Sequence, residues 1–265
     1  MSDEQLAALG ARRIAIDTDP DELVLPDEAG RRLGWIANWL ANPPHIFREW
    51  GLSGQVDGGL RALFVGPSGT GKTMAAVALA KSTDRTLFSI DLGAVEPKYV
   101  AETEKKLRQL FDAANDASAI LMFDEADALF GRRGAVKDSD DRYANIEIAY
   151  LLRRIEPYEG LAIVTSNSLD NIDEDILCRI DVLVEFPTPD AAAREAMWAK
   201  LLGKVKLNRA DDIDIRSLAK EFELCGADIV RSVRLASSIA ATEDRNLDMD
   251  LLIAVAKERI EMRRE

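Results

Sequence analysis

Short apolar runs alternate with longer stretches of helical period through the middle of the chain. Five of these runs are candidate strands, at residues 62–65, 87–91, 120–123, 161–165 and 182–186. A short and nearly continuous apolar run indicates a strand that is buried on both faces. Strands that alternate with helices are typical of an open, doubly wound sheet. We therefore predict an α/β domain built on a five-stranded parallel sheet.

Helical periods dominate the rest of the chain. The pattern predicts helices over residues 26–41, 72–82 and 102–114, and only helical periods after residue 189. Two prolines in the segment Phe186-Pro187-Thr188-Pro189 end the last strand and prevent a helix from continuing across it. We predict three parts: an irregular N-terminal arm over residues 1–20, an α/β domain over 21–188, and an all-helical domain over 189–265.

Charge and composition exclude several function classes. The chain has 34 basic and 47 acidic residues, a net charge of −13, which argues against non-specific binding to nucleic acid or to anionic membranes. A single histidine, His45, excludes multi-histidine metal sites, and the distant cysteines Cys178 and Cys225 form no zinc or disulfide framework. The acidic N-terminus is unlike a signal peptide, and no apolar run approaches the ~20 residues that span a bilayer. We expect a cytoplasmic protein with no membrane partner.

A glycine-rich segment carries the first candidate chemistry. Residues 66–73 match the phosphate-loop pattern GxxxxGK[ST] and lie between a predicted strand and a predicted helix. The candidate nucleotide-binding residues are Gly66, Pro67, Ser68, Gly69, Thr70, Gly71, Lys72, Thr73 and the following Met74. Backbone N–H groups of such a loop cradle phosphate oxygens, the lysine contacts the β- and γ-phosphates, and the threonine hydroxyl binds Mg²⁺. The segment therefore predicts binding of a nucleoside triphosphate with Mg²⁺.

Two adjacent carboxylates follow the third predicted strand. Asp124 and Glu125 come directly after the run 120–123, at the strand end where ligands bind in open α/β sheets. Successive strand side chains point in opposite directions, so the two carboxylates can serve different tasks. We predict that Asp124 joins Thr73 at the metal and that Glu125 acts on the attacking water. A polar cap of solvated acids is the alternative, and the phosphate loop upstream argues against it.

These motifs resemble an AAA+ ATPase module when they are taken together with the helical tail and with Thr165-Ser166-Asn167 at the end of the fourth strand. The resemblance covers residues 20–265 and implies a P-loop NTPase sheet with a C-terminal helical lid domain, ATP hydrolysis, and ATP and Mg²⁺ as cofactors. The stretches 98–105 and 138–148 are most similar to AAA proteins found with bacterial contractile injection systems.

The resemblance also implies roles for residues outside the phosphate loop. Asn167 matches the polar residue that positions the attacking water, and a plain turn residue is the alternative. Arg179 falls where the family carries arginine fingers that reach the ATP of a neighbouring subunit. Many relatives have two arginines there, whereas this chain has Cys178 before Arg179. The alternative is a surface arginine that pairs with Asp175. Gly226 and Ala227 match a region that packs near the adenine, or they simply begin a helix.

A further loop of the family grips the substrate. Tyr99 and Val100 fall where AAA+ rings place an aromatic-hydrophobic pair in the central pore, with Ala101 in place of the usual glycine. Burial of both side chains in the core is the alternative. The charged segment 131–142 is either a second pore loop or a surface loop.

The resemblance implies a homo-oligomeric ring, a hexamer, that remodels, unfolds or assembles a protein substrate, directly or through an adaptor. Two other functions stay open. Cys178 and Ala101 are departures that suit an ATP-gated assembly switch or chaperone without threading. A DNA-acting ATPase of the clamp-loader or initiator type is disfavoured, because acidic residues slightly outnumber basic ones in the helical tail.

Overall fold

The computed structural model describes most of the chain in two compact units. The described residues are 7, 10–16, 23–42, 49, 51, 58–91, 108–115, 118–124, 155, 157–172, 174–206, 208, 210 and 213–262. The first unit comprises Met1–Pro20, Asp27–Pro67 and Lys72–Phe186, and the second comprises Asp21–Pro26, Ser68–Gly71 and Pro187–Glu265. Two short segments from the first 71 residues thus group with the helical tail, while the contiguous domain limits stated above stay predictions.

Among the described residues, six strands form a sheet at the centre of the first unit. Its strands are β1 (Ala11–Arg13), β2 (Leu60–Val65), β3 (Leu87–Asp91), β4 (Ile120–Asp124), β5 (Leu161–Ser166) and β6 (Val182–Glu185). They lie in the order β1-β3-β4-β5-β2-β6, and β2 to β6 are all parallel. The predicted parallel α/β sheet is therefore confirmed. In this order β2 lies between β5 and β6, so the carboxyl ends of β2, β4 and β5 meet at one edge.

The described part of the sheet has one strand more than the five predicted. Strand β1, in the segment expected to be irregular, pairs antiparallel with β3 at the edge of the sheet. The pattern of apolar runs does not reveal β1, because its sequence is Ala-Arg-Arg. In this strand only Ala11 is buried, and the two arginines are exposed. Arg13 instead lies over the ring of Phe88, with 5.9 Å between the guanidinium carbon and the ring centroid. A strand held mainly by backbone pairing leaves little hydrophobic pattern to detect.

Helices of the first unit cover the sheet. They are α1 (Asp27–Ala41), α2 (Lys72–Ser82) and the short α3 (Glu174–Leu177), and residues 108–115 are also helical. Helix α1 buries one apolar side and is anchored by Arg32, whose guanidinium donates to the carbonyl of Leu183. Helix α2 is buried over most of its length, as expected for a helix that is apolar on every side. Burial raises the pKa of the Tyr158 phenol, whose hydroxyl donates to the carbonyl of Ala119 in the sheet core.

The second unit contains four helices in its described part. These are α4 (Ala191–Lys204), α5 (Ile215–Glu221), α6 (Gly226–Thr242) and α7 (Met249–Glu261), and aspartates cap the N-termini of α4, α5 and α7. Their apolar faces form a separate core around Trp198. The buried guanidinium of Arg194 joins α4 to the carbonyls of Pro189, at 2.6 Å, and Ala219, at 2.8 Å. Within the described residues, no helix combines the length and hydropathy that a bilayer crossing requires.

Candidate functional site

The glycine-rich loop lies where the motif predicts it. It follows the last residue of β2, Val65, and helix α2 begins at Lys72. Three of its residues have backbone angles that side chains rarely adopt: φ is +154° at Gly66, +81° at Gly69 and +109° at Gly71. Glycine adopts such angles without a steric penalty. Such glycines let a phosphate-binding loop turn its backbone N–H groups toward an anion.

Gly66 is required for a second reason, which is close backbone approach. A Cβ at this position would lie 2.0 Å from the carbonyl oxygen of Phe186, the residue that follows β6. The contact cannot relax easily, because Phe186 donates its N–H to Val65 and Gly66 donates to the carbonyl of Ser166. The loop is thus held between the ends of β5 and β6.

We expect Gly66→Ala to lower the free energy of unfolding by about 2–4 kcal/mol, because the added methyl meets backbone atoms. Urea denaturation measures the change. Gly34→Ala is the matched control: Gly34 lies in the middle of α1, and a Cβ there meets nothing within 4 Å. This control should be stabilised by about 0.5–1 kcal/mol. Equal stability of Gly66→Ala and the wild type would contradict the described backbone approach.

The lysine of the loop contacts the polar residue that follows β5. The Lys72 amine donates to the carbonyl of Gly66, to the carbonyl of Pro67 at 3.2 Å, and to the side-chain oxygen of Asn167 at 3.2 Å. Lys72 and Asn167 are 95 positions apart in sequence, and the parallel pairing of β2 with β5 brings them together. The fold therefore brings the Lys72 ammonium group and the Asn167 side-chain amide into contact beside the loop.

The carboxylate of Asp124 is oriented by a residue that the sequence analysis did not identify. Asp124 ends β4, and its Oδ1 accepts a hydrogen bond from the Thr165 hydroxyl on β5, with 2.6 Å between the two oxygens. Thr165 is 1% exposed. One signal was available: Thr165 precedes Asn167 by two positions, so strand alternation places both on one side of the chain.

The tip of the loop contacts the beginning of α6 within the second unit. The Gly69 carbonyl accepts a hydrogen bond from the Ala227 N–H at 3.0 Å. A Cβ on Gly226 would lie 3.4 Å from the same carbonyl, and one on Gly69 would lie 2.6 Å from the thiol of Cys225. That thiol is buried and donates to the carboxylate of Asp228 at 3.1 Å. The predicted residues Gly226 and Ala227 thus lie against the loop, together with Cys225, to which sequence reasoning gave no role.

Arg179 lies at the surface, on a segment that is fixed to the sheet. It follows α3 by two positions, is exposed, and donates its N–H to the Ile176 carbonyl at 2.9 Å. Two positions later, the carboxylate of Asp181 accepts hydrogen bonds from Nε and Nη2 of the Arg61 guanidinium, at 2.9 and 3.1 Å. Arg61 lies in β2, so the two-point contact holds the chain beyond Arg179 against the strand that leads to the loop. The neighbouring Cys178 is also exposed.

The remaining candidates divide into described and undescribed residues. In the loop, Pro67 and Ser68 are exposed and Thr70 is buried, while Thr73 and Met74 are half-buried in the first turn of α2. Glu125, Tyr99, Val100 and the segment 131–142 lie outside the described residues. Their assigned roles stay predictions.

Comparisons with known proteins agree with this geometry. Residues 62–188 match the family described as "ATPase family associated with various cellular activities (AAA)". The chain is 29% identical to the proteasome-activating nucleotidase of Methanopyrus kandleri, over 87% of this chain and 53% of that protein. It is 32% identical to the cell division cycle protein 48 homolog of Archaeoglobus fulgidus, over 82% of this chain and 30% of that protein. It is also 33% identical to the ATP-dependent zinc metalloprotease YME1 homolog of Caenorhabditis elegans, with the same two shares.

The chain therefore spans about half the length, or less, of these relatives. The finer similarity to proteins of contractile injection systems stays a prediction. The family match covers most of β2, the strands β3 to β6 and the glycine-rich loop, and it agrees with the parallel sheet, the contact between Lys72 and Asn167, and the position of Asp124 at the end of β4. The chain belongs to the AAA+ ATPases, enzymes that bind and hydrolyse ATP.

Proposed function

We propose that this chain is one subunit of a homo-oligomeric ring, a hexamer, in which Mg²⁺-dependent ATP hydrolysis drives the unfolding or remodelling of a protein substrate. The observation that carries the proposal is the contact between the Lys72 amine and the Asn167 side chain, 3.2 Å apart beside the left-handed glycines of the loop. Such a site combines a phosphate cradle with a polar group aimed at the terminal phosphate.

The residues present fit a magnesium–nucleotide complex. The loop supplies backbone N–H groups and the N-terminus of α2, both of which favour phosphate oxygens, and Lys72 adds a positive charge. The Thr73 hydroxyl and the Asp124 carboxylate are the hard oxygen donors that Mg²⁺ prefers. When bound, the metal neutralises charge on the transferred phosphoryl group. Gly226 and Ala227 contribute backbone near the adenine.

Hydrolysis then requires a water molecule that is oriented and deprotonated. Glu125 follows Asp124 directly in the sequence, next to the carboxylate proposed to bind the metal. We assign Glu125 as the base that accepts the proton of the water. Asn167 holds the water opposite the γ-phosphate, and Arg179 of a neighbouring copy neutralises charge that develops in the transition state.

The protein substrate is inferred from the relatives and from one segment. A proteasome-activating nucleotidase and an ATP-dependent zinc metalloprotease both carry names that refer to the handling of proteins. Tyr99 and Val100 are our candidates for the pair that grips an extended polypeptide, since an aromatic ring contacts a backbone regardless of side-chain identity. We place this activity in the cytoplasm, and the identity of the substrate or adaptor is left open.

Replacement of Lys72 tests the proposed nucleotide site. A hydrogen bond to a charged group contributes about 1.5–3 kcal/mol, so Lys72→Ala should weaken ATP binding roughly 10- to 100-fold. Titration with a fluorescent ATP analogue in excess Mg²⁺ measures the affinity. Lys81→Ala is the matched control, because Lys81 is exposed in the last turn of the same helix, α2. Wild-type affinity in a folded Lys72→Ala variant would refute the site.

A further inference from the structure

We propose that Thr165 is a positioning residue for the metal site: its hydroxyl holds the Asp124 carboxylate in the orientation that binds Mg²⁺ with the nucleotide. The proposal rests on the function proposed above, because that function assigns Asp124 to the metal. It assigns a role to Thr165, which the resemblance left without one; Thr165 lies in β5, two positions before Asn167.

The strand pairing brings the two side chains together. Strands β4 and β5 are parallel neighbours, and their register pairs Phe123 with Val164, so Asp124 and Thr165 occupy the next position on each strand. Their side-chain oxygens are 2.6 Å apart. This separation is typical of a hydroxyl that donates to an ionised carboxylate, a contact about twice as strong as one between neutral groups.

Burial makes the contact specific. Thr165 is 1% exposed, so water does not replace the carboxylate as its partner without rearrangement. Threonine is branched at Cβ, which limits rotation of the side chain and aims the hydroxyl. Because one carboxylate oxygen is fixed by Thr165, rotation about the Cβ–Cγ bond of Asp124 is restricted. The second oxygen is then held in a set direction before the metal arrives, which lowers the entropic cost of binding.

Two substitutions separate this role from simple packing. Thr165→Val keeps the shape of the side chain and removes the donor, whereas Thr165→Ser keeps the donor and removes a methyl group. If Thr165 only packs, loss of the methyl group should change the Mg²⁺ dependence of nucleotide binding more than loss of the hydroxyl does. If Thr165 orients the carboxylate, only loss of the hydroxyl should change that dependence. Thr242→Val is the matched control, since the Thr242 hydroxyl donates to the Ser238 carbonyl on α6, in the other unit.

The experiment measures binding of a fluorescent ADP analogue to the full chain, first in EDTA and then over a series of Mg²⁺ concentrations. We expect Thr165→Val to bind the nucleotide in EDTA as the wild type does and to need about 10- to 100-fold more Mg²⁺ for the half-maximal change, the loss of metal affinity that is typical when the hydrogen-bond partner of a metal ligand is removed. Thr165→Ser and Thr242→Val should keep the wild-type Mg²⁺ dependence. Thermal unfolding of each variant is recorded alongside.

Wild-type Mg²⁺ dependence in Thr165→Val would overturn the proposal. If Thr165→Val fails to fold, Thr165→Ser decides. An unchanged Mg²⁺ concentration for the half-maximal change supports the proposal. A higher Mg²⁺ concentration, in a variant whose unfolding temperature is lowered as well, overturns it. Failure of the proposed function gives a different result, because the wild type itself would then bind no nucleotide or show no response to Mg²⁺.

Discussion

Replacement of Glu125 by glutamine is expected to leave ATP binding intact and to slow phosphate release by about 10²- to 10⁴-fold, the contribution typical of general base catalysis. Glutamine has nearly the shape of glutamate and retains an acceptor oxygen, so a water can still be held near the γ-phosphate. It does not accept the proton of that water at neutral pH. Steady-state phosphate release, together with titration of a fluorescent ATP analogue, measures the two effects separately.

The control for Glu125→Gln is Glu221→Gln, the same chemical change at an exposed position at the end of α5. Glu221→Gln should hydrolyse ATP at the wild-type rate. Because Glu125→Gln is expected to retain ATP, it should also keep any assembly that ATP stabilises. Undiminished phosphate release by Glu125→Gln would remove Glu125 from the role of base and leave Asp124 as the only carboxylate assigned to the site.

Loss of the Arg179 side chain is expected to have the largest effect of any single substitution. An arginine finger contributes about 10³- to 10⁵-fold to hydrolysis, because it neutralises charge that appears only in the transition state. Arg179→Ala should therefore lower the rate of phosphate release by this factor and change ATP affinity little. Arg216→Ala is the control, since the Arg216 side chain is 72% exposed and lies on α5.

Mixing two inactive variants tests whether Arg179 acts on a neighbouring copy. An Arg179→Ala subunit retains Glu125, and a Glu125→Gln subunit retains Arg179. In a mixed assembly, a complete site forms wherever an Arg179→Ala subunit, which supplies Glu125, lies next to a Glu125→Gln subunit, which supplies Arg179. We expect the mixture to hydrolyse ATP faster than either variant alone. Mixed assemblies that stay as inactive as the separate variants, although both bind ATP, would show that Arg179 does not complete a neighbour's site.

The strands of this protein could be predicted closely, and the reason is burial. Each of the five parallel strands is built on a short, nearly continuous apolar run, and the predicted run 87–91 coincides with β3, Leu87–Asp91. The ends of the others differ by at most two residues, mainly because polar residues such as Asp124 and Ser166 complete the ladder at the ligand-binding edge. Strand β1 was missed, since a short edge strand with two exposed arginines is held by backbone hydrogen bonds that any sequence can form.

The part of the candidate site that is formed by one continuous segment could be predicted from the sequence. The phosphate loop is one continuous segment, so its glycines, its lysine and the start of α2 follow from the motif alone. The residues that fix it come from other elements: Phe186 blocks a side chain at Gly66, Thr165 orients Asp124, and Cys225 lies against Gly69. These contacts depend on strand order and on how α6 begins, and the local sequence pattern does not specify either one.

The central claim is that ATP is hydrolysed at the glycine-rich loop of one copy with help from the next copy. Phosphate release per chain, measured over a dilution series with particle mass from light scattering at each step, tests it directly. Activity per chain is expected to fall together with the fraction of assembled particles. Full activity in particles of 29.2 kDa, the mass of one chain, would contradict it.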